Sequence, residues 1–402
     1  VFAITFGLLI SDYMSRQVLN AVFPLLKTEW ALSDARLGSL SGVVALMVGL
    51  LTFPLSLVAD RFGRVRSLTL MAVLWSLATL VCALAKNFEH MFIARLFVGV
   101  GEAAYGSVGV AVLLSVFPTH MRATITGAFM AGGMFGSVLG MAAGGVLAQH
   151  FGWRWSFAGM AFFGLALGAV YPLIVRDSRL GTVARRAPGK KLSLSSLFAT
   201  RSVVSAYVGS GLQLFISGSL IAWMPSFLNR YYSMGTDRAG VVSAAFVLCS
   251  GAGMIVCGMI SDKLGRNSPT RKLSLAITFC LLCFVLLTGG FFLSAGPLQL
   301  ALIAAGMFVA AGTAGTAGAM VANLTQVAIH GTAFATLTLA NNLLGLAPGP
   351  FVTGALADAL GLQTALLVIP AISLLAALAF FLGRRYYEHD LQRVNNVAHV
   401  AA

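Results

Sequence analysis

The chain has 402 residues, of which 58% are hydrophobic and only 9% charged, with a mean hydropathy of +0.91. No soluble core absorbs that much apolar surface, so the composition excludes a soluble globular protein and predicts a polytopic membrane protein. The net charge of +14 would suit nucleic acid, but the distribution of the charge, given below, argues against that partner.

Runs of about 20 apolar residues predict twelve spans: 2–24, 37–58, 67–86, 91–115, 124–148, 155–175, 202–225, 239–261, 273–294, 297–321, 331–356 and 362–383. Such lengths read as helices, because an open sheet would leave backbone groups unpaired in lipid. Of the 26 Lys and Arg, 18 fall in 59–66, 116–123, 176–201, 262–272 and the C-terminus, 6 in the loops of the opposite side, and 2 inside spans. That bias puts both termini in the cytoplasm, and pairs such as Arg185-Arg186 read as topology signals. The chain begins at Val1 without Met, so a short cytoplasmic leader is expected upstream, and no cleavable signal is visible.

The stretch 176–201, RDSRLGTVARRAPGKKLSLSSLFATR, is basic and interrupted by Gly, Pro and Ser. It reads as the one long linker, dividing an N-terminal six-helix bundle (1–175) from a C-terminal one (202–383), with a cytoplasmic tail at 384–402. The halves repeat. SLVADRFGRVR (56–66) aligns with GMISDKLGR (258–266) at a shift of 202, and GSVLGMAAGG (136–145) with GLAPGPFVTG (345–354) at a shift of 209. Two registers in the same order point to a parallel duplication. In the loops, an acid at a helix end can sit against a neighbouring helix N-terminus while Arg reaches carbonyls or lipid phosphate. Asp60, Arg61, Gly63, Arg64, Asp262, Gly265 and Arg266 are therefore candidate parts of a conformational latch. The glycine rows allow close helix crossing.

Ionisable residues inside spans are costly and mark function. In the first span Asp12, Arg16 and Asn20 share one face at four-residue spacing; in the fourth, Arg95 and Glu102 share a face two turns apart. Burial favours the protonated acid and a nearby guanidinium favours the carboxylate, so proton loading can follow substrate and access state. Asp12 and Glu102 are candidate proton carriers, and Arg16 offers a fork for a carboxylate or phosphate. The alternative is a fixed polar clamp within the N-terminal bundle. Asn20, Arg95, Tyr105, Gln213, Ser217, Thr313, Asn341 and Asn342 complete the candidate substrate lining; Ser210 and Thr316 are further neutral groups, and Trp223 reads as an interfacial anchor. The five cysteines lie in apolar spans and the six histidines at span ends, in loops or in the tail. Neither a metal site nor a bound cofactor is expected, and no enzyme grouping shares one depth. No Gly-Lys-Ser/Thr loop offers ATP as an energy source.

The doubled loop resembles G-x-x-x-D-R-x-G-R-[KR] of the major facilitator superfamily, with Ser56 in place of the first Gly and Gly258 present in the repeat. The resemblance implies two six-helix bundles rocking about a central cavity. GVGEAAYGSVGVAVLLSVFP, GGVLAQHFGWRWSFAG, WMPSFLNRYYSM and NNLLGLAPGP are similar to the spinster-like branch, which implies proton-linked movement of amphipathic anions such as lysolipids. The anion:cation symporter branch, which takes up sugar acids and other carboxylates, is a close competitor. Arg16 and Glu102 match both. Both branches usually place Asp before the first-helix Arg, whereas Ser15 stands here with Asp12 one turn back. Met141 replaces the Pro of an antiporter-like glycine motif that Pro350 keeps in the repeat, which leaves export against uptake open. The expectation is a proton-coupled monomer in a bacterial-type inner membrane, carrying a small organic or amphipathic anion and contacting membrane lipid. A proton-driven cation or drug exporter and a non-transporting membrane receptor are the alternatives.

Overall fold

The computed structural model describes residues 1–118, 121–175, 197–198, 200–265, 269–325 and 329–401, and among them it is helical throughout, with no strand. The first three spans are α1 (Phe2–Trp30), α2 (Asp34–Phe62) and α3 (Arg64–Ala83). The fourth is broken into α4 (Phe88–Glu102) and α5 (Tyr105–Val116), and α6 (Arg122–Phe151) and α7 (Trp153–Ile174) complete the half. In the second half come α8 (Arg201–Tyr232), α9 (Thr236–Leu264) and α10 (Pro269–Phe292). The tenth span is broken like the fourth, into α11 (Pro297–Ala310) and α12 (Thr313–Leu324). The eleventh runs as α13 (His330–Asn341), a π turn at Asn342–Leu346 and α14 (Pro348–Leu360); the twelfth is α15 (Leu362–Val368) and α16 (Ile372–Ala401). Eleven of these spans are long and apolar enough to cross a membrane by length and composition. The first is as long but carries Asp12, Arg16, Lys27 and Glu29.

Local chemistry sets the helix ends. Ser33 caps α2 by accepting from the Arg36 amide, and Asn87 caps α4 by accepting from His90, each satisfying an orphan donor of the first turn. Gly63, Gly152 and Gly361 make the joints α2–α3, α6–α7 and α14–α15 at φ of 93, 88 and 84°, a backbone region that residues with a Cβ rarely enter. Gly152 and Gly361 are 209 positions apart, the shift of the glycine rows, so the duplication extends from sequence to backbone.

The contacts divide the chain into two compact units. One holds the N-terminal half with Ile221–Leu248; the other holds the chain up to Leu220 after the linker together with Cys249–Ala402. In the first, α1 lies against α6, and a Cβ at Gly136 would stand 2.5 Å from the carbonyl oxygen of Ile10. In the second, a Cβ at Gly345 would stand 2.5 Å from the carbonyl oxygen of Gly211 in α8. Each glycine row therefore brings the first helix of its own half to backbone contact, as the rows predict. Trp223, expected at an interface, is instead fully buried in the first unit with its ring 5.3 Å from that of Phe23. The apolar ring thus has a partner within the protein and needs no lipid boundary. Most of the linker and Arg266 lie outside the described residues, as does the side chain of Asp60.

Candidate functional site

The charged face of α1 meets the end of α4. Arg16 Nε donates to Glu102 Oε2 at 2.6 Å and to Asp12 Oδ1 at 3.2 Å. Both carboxylate side chains are almost fully buried, while the Arg16 side chain keeps 18% of its surface exposed. Both bonds use Nε, so the two Nη groups engage no partner among the described residues. The guanidinium is 5.1 Å from the ring centroid of Tyr13, a cation–π contact that orients its plane. Glu102 is the last residue of α4, next to the break before α5, and its Oε1 has no partner. At that break Thr52 Oγ1 of α2 donates to the Ala103 carbonyl at 2.6 Å, satisfying a backbone acceptor that the interrupted helix releases.

Arg95 shares the face of α4 but not the ion pairs. It is 1% exposed and donates to the carbonyls of Ser15 (2.8 Å), Leu40 (3.3 Å) and Arg16 (3.4 Å). No carboxylate among the described residues lies within ion-pair reach of it. It therefore ties α4 to α1 and α2 at the turn that carries Arg16. Of the other expected residues in this unit, Asn20 is buried and donates to Gln17 Oε1 at 2.7 Å. Tyr105 is fully buried, donates to the Thr5 carbonyl at 2.7 Å and meets Trp75 edge-on. Charge counting along helices found Asp12, Arg16 and Glu102. It missed Tyr13, Thr52 and the carbonyls that hold Arg95, because an aromatic, a hydroxyl and a backbone oxygen in an apolar run carry no charge signal.

A second ionic group in this unit was also missed. Asp34 Oδ1 accepts from Lys27 (2.6 Å) and from Arg230 Nη2 (2.6 Å), and Oδ2 accepts from Arg230 Nη1 (2.7 Å). The fork joins the start of α2 to the end of α8, a distance of nearly half the sequence, which no local periodicity reveals.

The second unit's candidates are neutral and bond mostly within their own helices. Gln213 Oε1 accepts from Ser373 at 3.0 Å, and its Nε2 has no partner. Ser217 donates to the Gln213 carbonyl at 3.4 Å. Asn342 opens the π turn and donates to the Thr338 carbonyl at 2.9 Å, Asn341 beside it is half-buried, and Thr313 is buried at the start of α12. Of the latch residues, Arg64 reaches the Ala111 carbonyl at 3.5 Å, Arg61 is exposed, and Asp262 pairs with Lys272 at 2.5 Å.

Relatives and solved structures agree with this architecture. The chain is 26% identical over 296 residues to a probable L-galactonate transporter of Escherichia coli, covering 69% of this chain and 65% of that protein. It thus spans just under two thirds of that relative's length. It is 28% identical over 338 residues to a gallate transporter of Pseudomonas putida, covering 76% and 74%. A bacterial homolog of the human lysosomal transporter spinster, solved inward-facing and occupied, superposes with a TM-score of 0.87 at 20% identity over 97% of both chains. A D-xylose-proton symporter superposes at 0.74, with 20% identity over 94% and 95%. The spinster-like expectation is met at the level of fold, while these sequence relatives are named for galactonate and gallate. The family and these relatives are transporters rather than enzymes. Residues 5–309 match the model of the Major Facilitator Superfamily, most of the chain, and the chain belongs to that family.

Proposed function

We propose that this protein is a proton-coupled secondary transporter of a small organic anion, a carboxylate, bound by the Nη groups of Arg16. The observation that carries the reading is the division of that guanidinium: Nε is held by Glu102 and Asp12, while the fork that suits a carboxylate is unengaged among the described residues and the side chain keeps 18% of its surface exposed. A bidentate guanidinium–carboxylate pair is among the stronger and more geometrically selective contacts available. The relatives named for galactonate and gallate support a carboxylate substrate. Two acids and two guanidinium groups, Asp12, Glu102, Arg16 and Arg95, balance when both acids are ionised. An entering anion adds a negative charge, and a proton on Glu102 or Asp12 offsets it. Proton and anion thereby load together, which is coupling in thermodynamic terms.

In this reading Arg95 positions the Arg16 turn, while Asp262 and Lys272, with Asp60, Arg61, Gly63, Arg64, Gly265 and Arg266, latch one access state. The bundles run 1–175 and 202–383, and both termini face the cytoplasm of a bacterial-type inner membrane. The test is uptake into proteoliposomes of a panel containing galactonate, gallate and a cationic drug, with and without an inward proton gradient. Gradient-driven accumulation of an acid in wild type, lost in Glu102→Gln and Asp12→Asn, is expected. Accumulation of the cation instead when the proton gradient is reversed to point outward, surviving in Arg16→Ala, would replace the reading with that of a proton-driven cation exporter.

A further inference from the structure

Helix α2 lies along the fourth span and touches it at successive levels of one face. Leu40, Val44 and Thr52 of α2 fall at multiples of four residues, and in the same order they meet Arg95, Gly99 and Ala103. At the first level the Leu40 carbonyl accepts from Arg95 Nε at 3.3 Å. At the second a Cβ on Gly99 would stand 2.9 Å from the Val44 carbonyl oxygen, so the two backbones touch. At the third the Thr52 hydroxyl reaches the Ala103 carbonyl at 2.6 Å. That hydroxyl also lies within reach of the Val48 carbonyl in its own helix, but it has one proton to give. The Val48 carbonyl already has the Thr52 amide as its helical partner. The Ala103 carbonyl sits where α4 has stopped, and there a bare acceptor is costly. The proton therefore does more at Ala103.

The second half repeats the break but not the tie. The shift of 202 that aligns the loops puts Met254 opposite Thr52, and that side chain is 49% exposed and offers no donor. The break after Ala310 rests on carbon instead: a Cβ on Gly312 would stand 2.8 Å from the Cβ of Cys257 and 2.9 Å from the Phe279 ring. Packing alone can thus hold a broken span. The hydroxyl tie occurs in the half whose break follows an acid, at the residue next to Glu102. Glu102 Oε2 stands 2.6 Å from Arg16 Nε, and so short a charge-assisted contact tolerates little movement of the backbone that carries it.

We propose that Thr52 is the positioning residue for Glu102, its hydroxyl fixing the break between α4 and α5 so that the carboxylate keeps its place beside Arg16 as the proton comes and goes. The inference rests on the reading of Glu102 as a proton carrier. In that reading the carboxyl releases Arg16 when it is protonated and must meet it again when the proton leaves. A break free to slide would let the two miss each other, and proton and anion would then move separately.

The test compares Thr52→Val, which keeps the shape and removes the donor, with Thr52→Ser, which keeps the donor. In proteoliposomes, accumulation of galactonate or gallate under an inward proton gradient is divided by counterflow of the same acid without a gradient. Thr52→Val is expected to lower that ratio about tenfold, the equilibrium weight of one buried hydrogen bond, and Thr52→Ser to keep it within about threefold of wild type. A merely structural role lowers both activities together and leaves the ratio unmoved, which overturns the proposal, as does an equal loss in Thr52→Ser. If wild type accumulates neither acid, the carboxylate reading fails and melting temperature decides the role of Thr52. Thr52→Val is then expected to cost less in a Glu102→Gln background than in wild type, because an uncharged side chain at the break has no ion pair to keep in place. An equal cost in both backgrounds overturns the proposal and leaves the carboxylate reading untouched.

Discussion

The first helix of each half occupies an equivalent place in its own unit and carries opposite chemistry. In α1 the carbonyls of Ile10 and Met14 face Gly136 and Gly140; in α8 those of Gly211 and Phe215 face Gly345 and Gly349. Each pair is 201 positions apart, so Gln213 stands where the other half has Asp12, and Ser217 where it has Arg16. The backbone device is duplicated and the charge is not. Close helix crossing needs only the absence of side chains, and any sequence keeping the glycines keeps it. A buried charge has to be matched by an opposite one nearby or, as at Arg95, by several carbonyls, and among the described residues the half with Glu102 at the end of α4 supplies the acid that Arg16 pairs with. Acid and base thus diverge to amide and hydroxyl without disturbing the scaffold.

The largest test of this asymmetry is Arg16→Ala. It strands two buried carboxylates and removes the proposed anion fork. Breaking a buried pair this way costs about 3–5 kcal/mol. Carboxylate uptake should fall more than about 100-fold in proteoliposomes, with a lower melting temperature at neutral pH. Near-normal uptake would show that the charged half is a structural clamp. Next in size is Gln213→Glu, which writes the acid of α1 into α8 without its base. Ser373 still has an oxygen to donate to, but the second carboxylate oxygen replaces an amide that has no partner of its own. An ionised acid there should cost on the order of 3 kcal/mol. The cost belongs to the charged form, so stability should be lost as pH rises and recovered as it falls, a slope to be read as the melting temperature of variant against wild type from pH 8 to pH 5. A flat difference would mean that a cation in that half already serves the position.

How much of this was legible in the sequence follows from the same contrast. The helical spans and the repeat registers were readable, because hydrophobic length and glycine spacing are local. Asp12, Arg16 and Glu102 were readable because charge in an apolar run is rare. Three things were not. The breaks after Glu102 and Ala310 involve Ala and Gly residues with no proline to mark them. The Arg95 contacts go to carbonyls, which every residue has. The Asp34–Arg230 pair joins positions 196 apart, and only the fold brings those together.

Because the glycine device is duplicated, its disruption should be symmetric. Gly136→Val and Gly345→Val each push a side chain against a carbonyl oxygen, and overpacking of that kind costs about 1–3 kcal/mol. Both should lower the melting temperature by similar amounts, and both by more than a valine at Gly127, where a Cβ would meet nothing. A large effect in only one half would mean that the two crossings differ in rigidity despite their matching geometry.

The smallest expected effect is the most discriminating. Ser217 stands where the other half has Arg16, yet its hydroxyl makes only a long bond, 3.4 Å, to a carbonyl one turn back in its own helix. Such a bond contributes little beyond what the helix already holds. Ser217→Ala should therefore shift stability by less than about 0.5 kcal/mol and leave carboxylate uptake within about threefold of wild type. If charge recognition resides in α1 and α4, this hydroxyl is a remnant of the duplication and its removal is silent. A fall beyond tenfold at unchanged stability would instead place a substrate contact on α8, and the neutral half would then share in recognition through hydrogen bonds where the charged half uses ions.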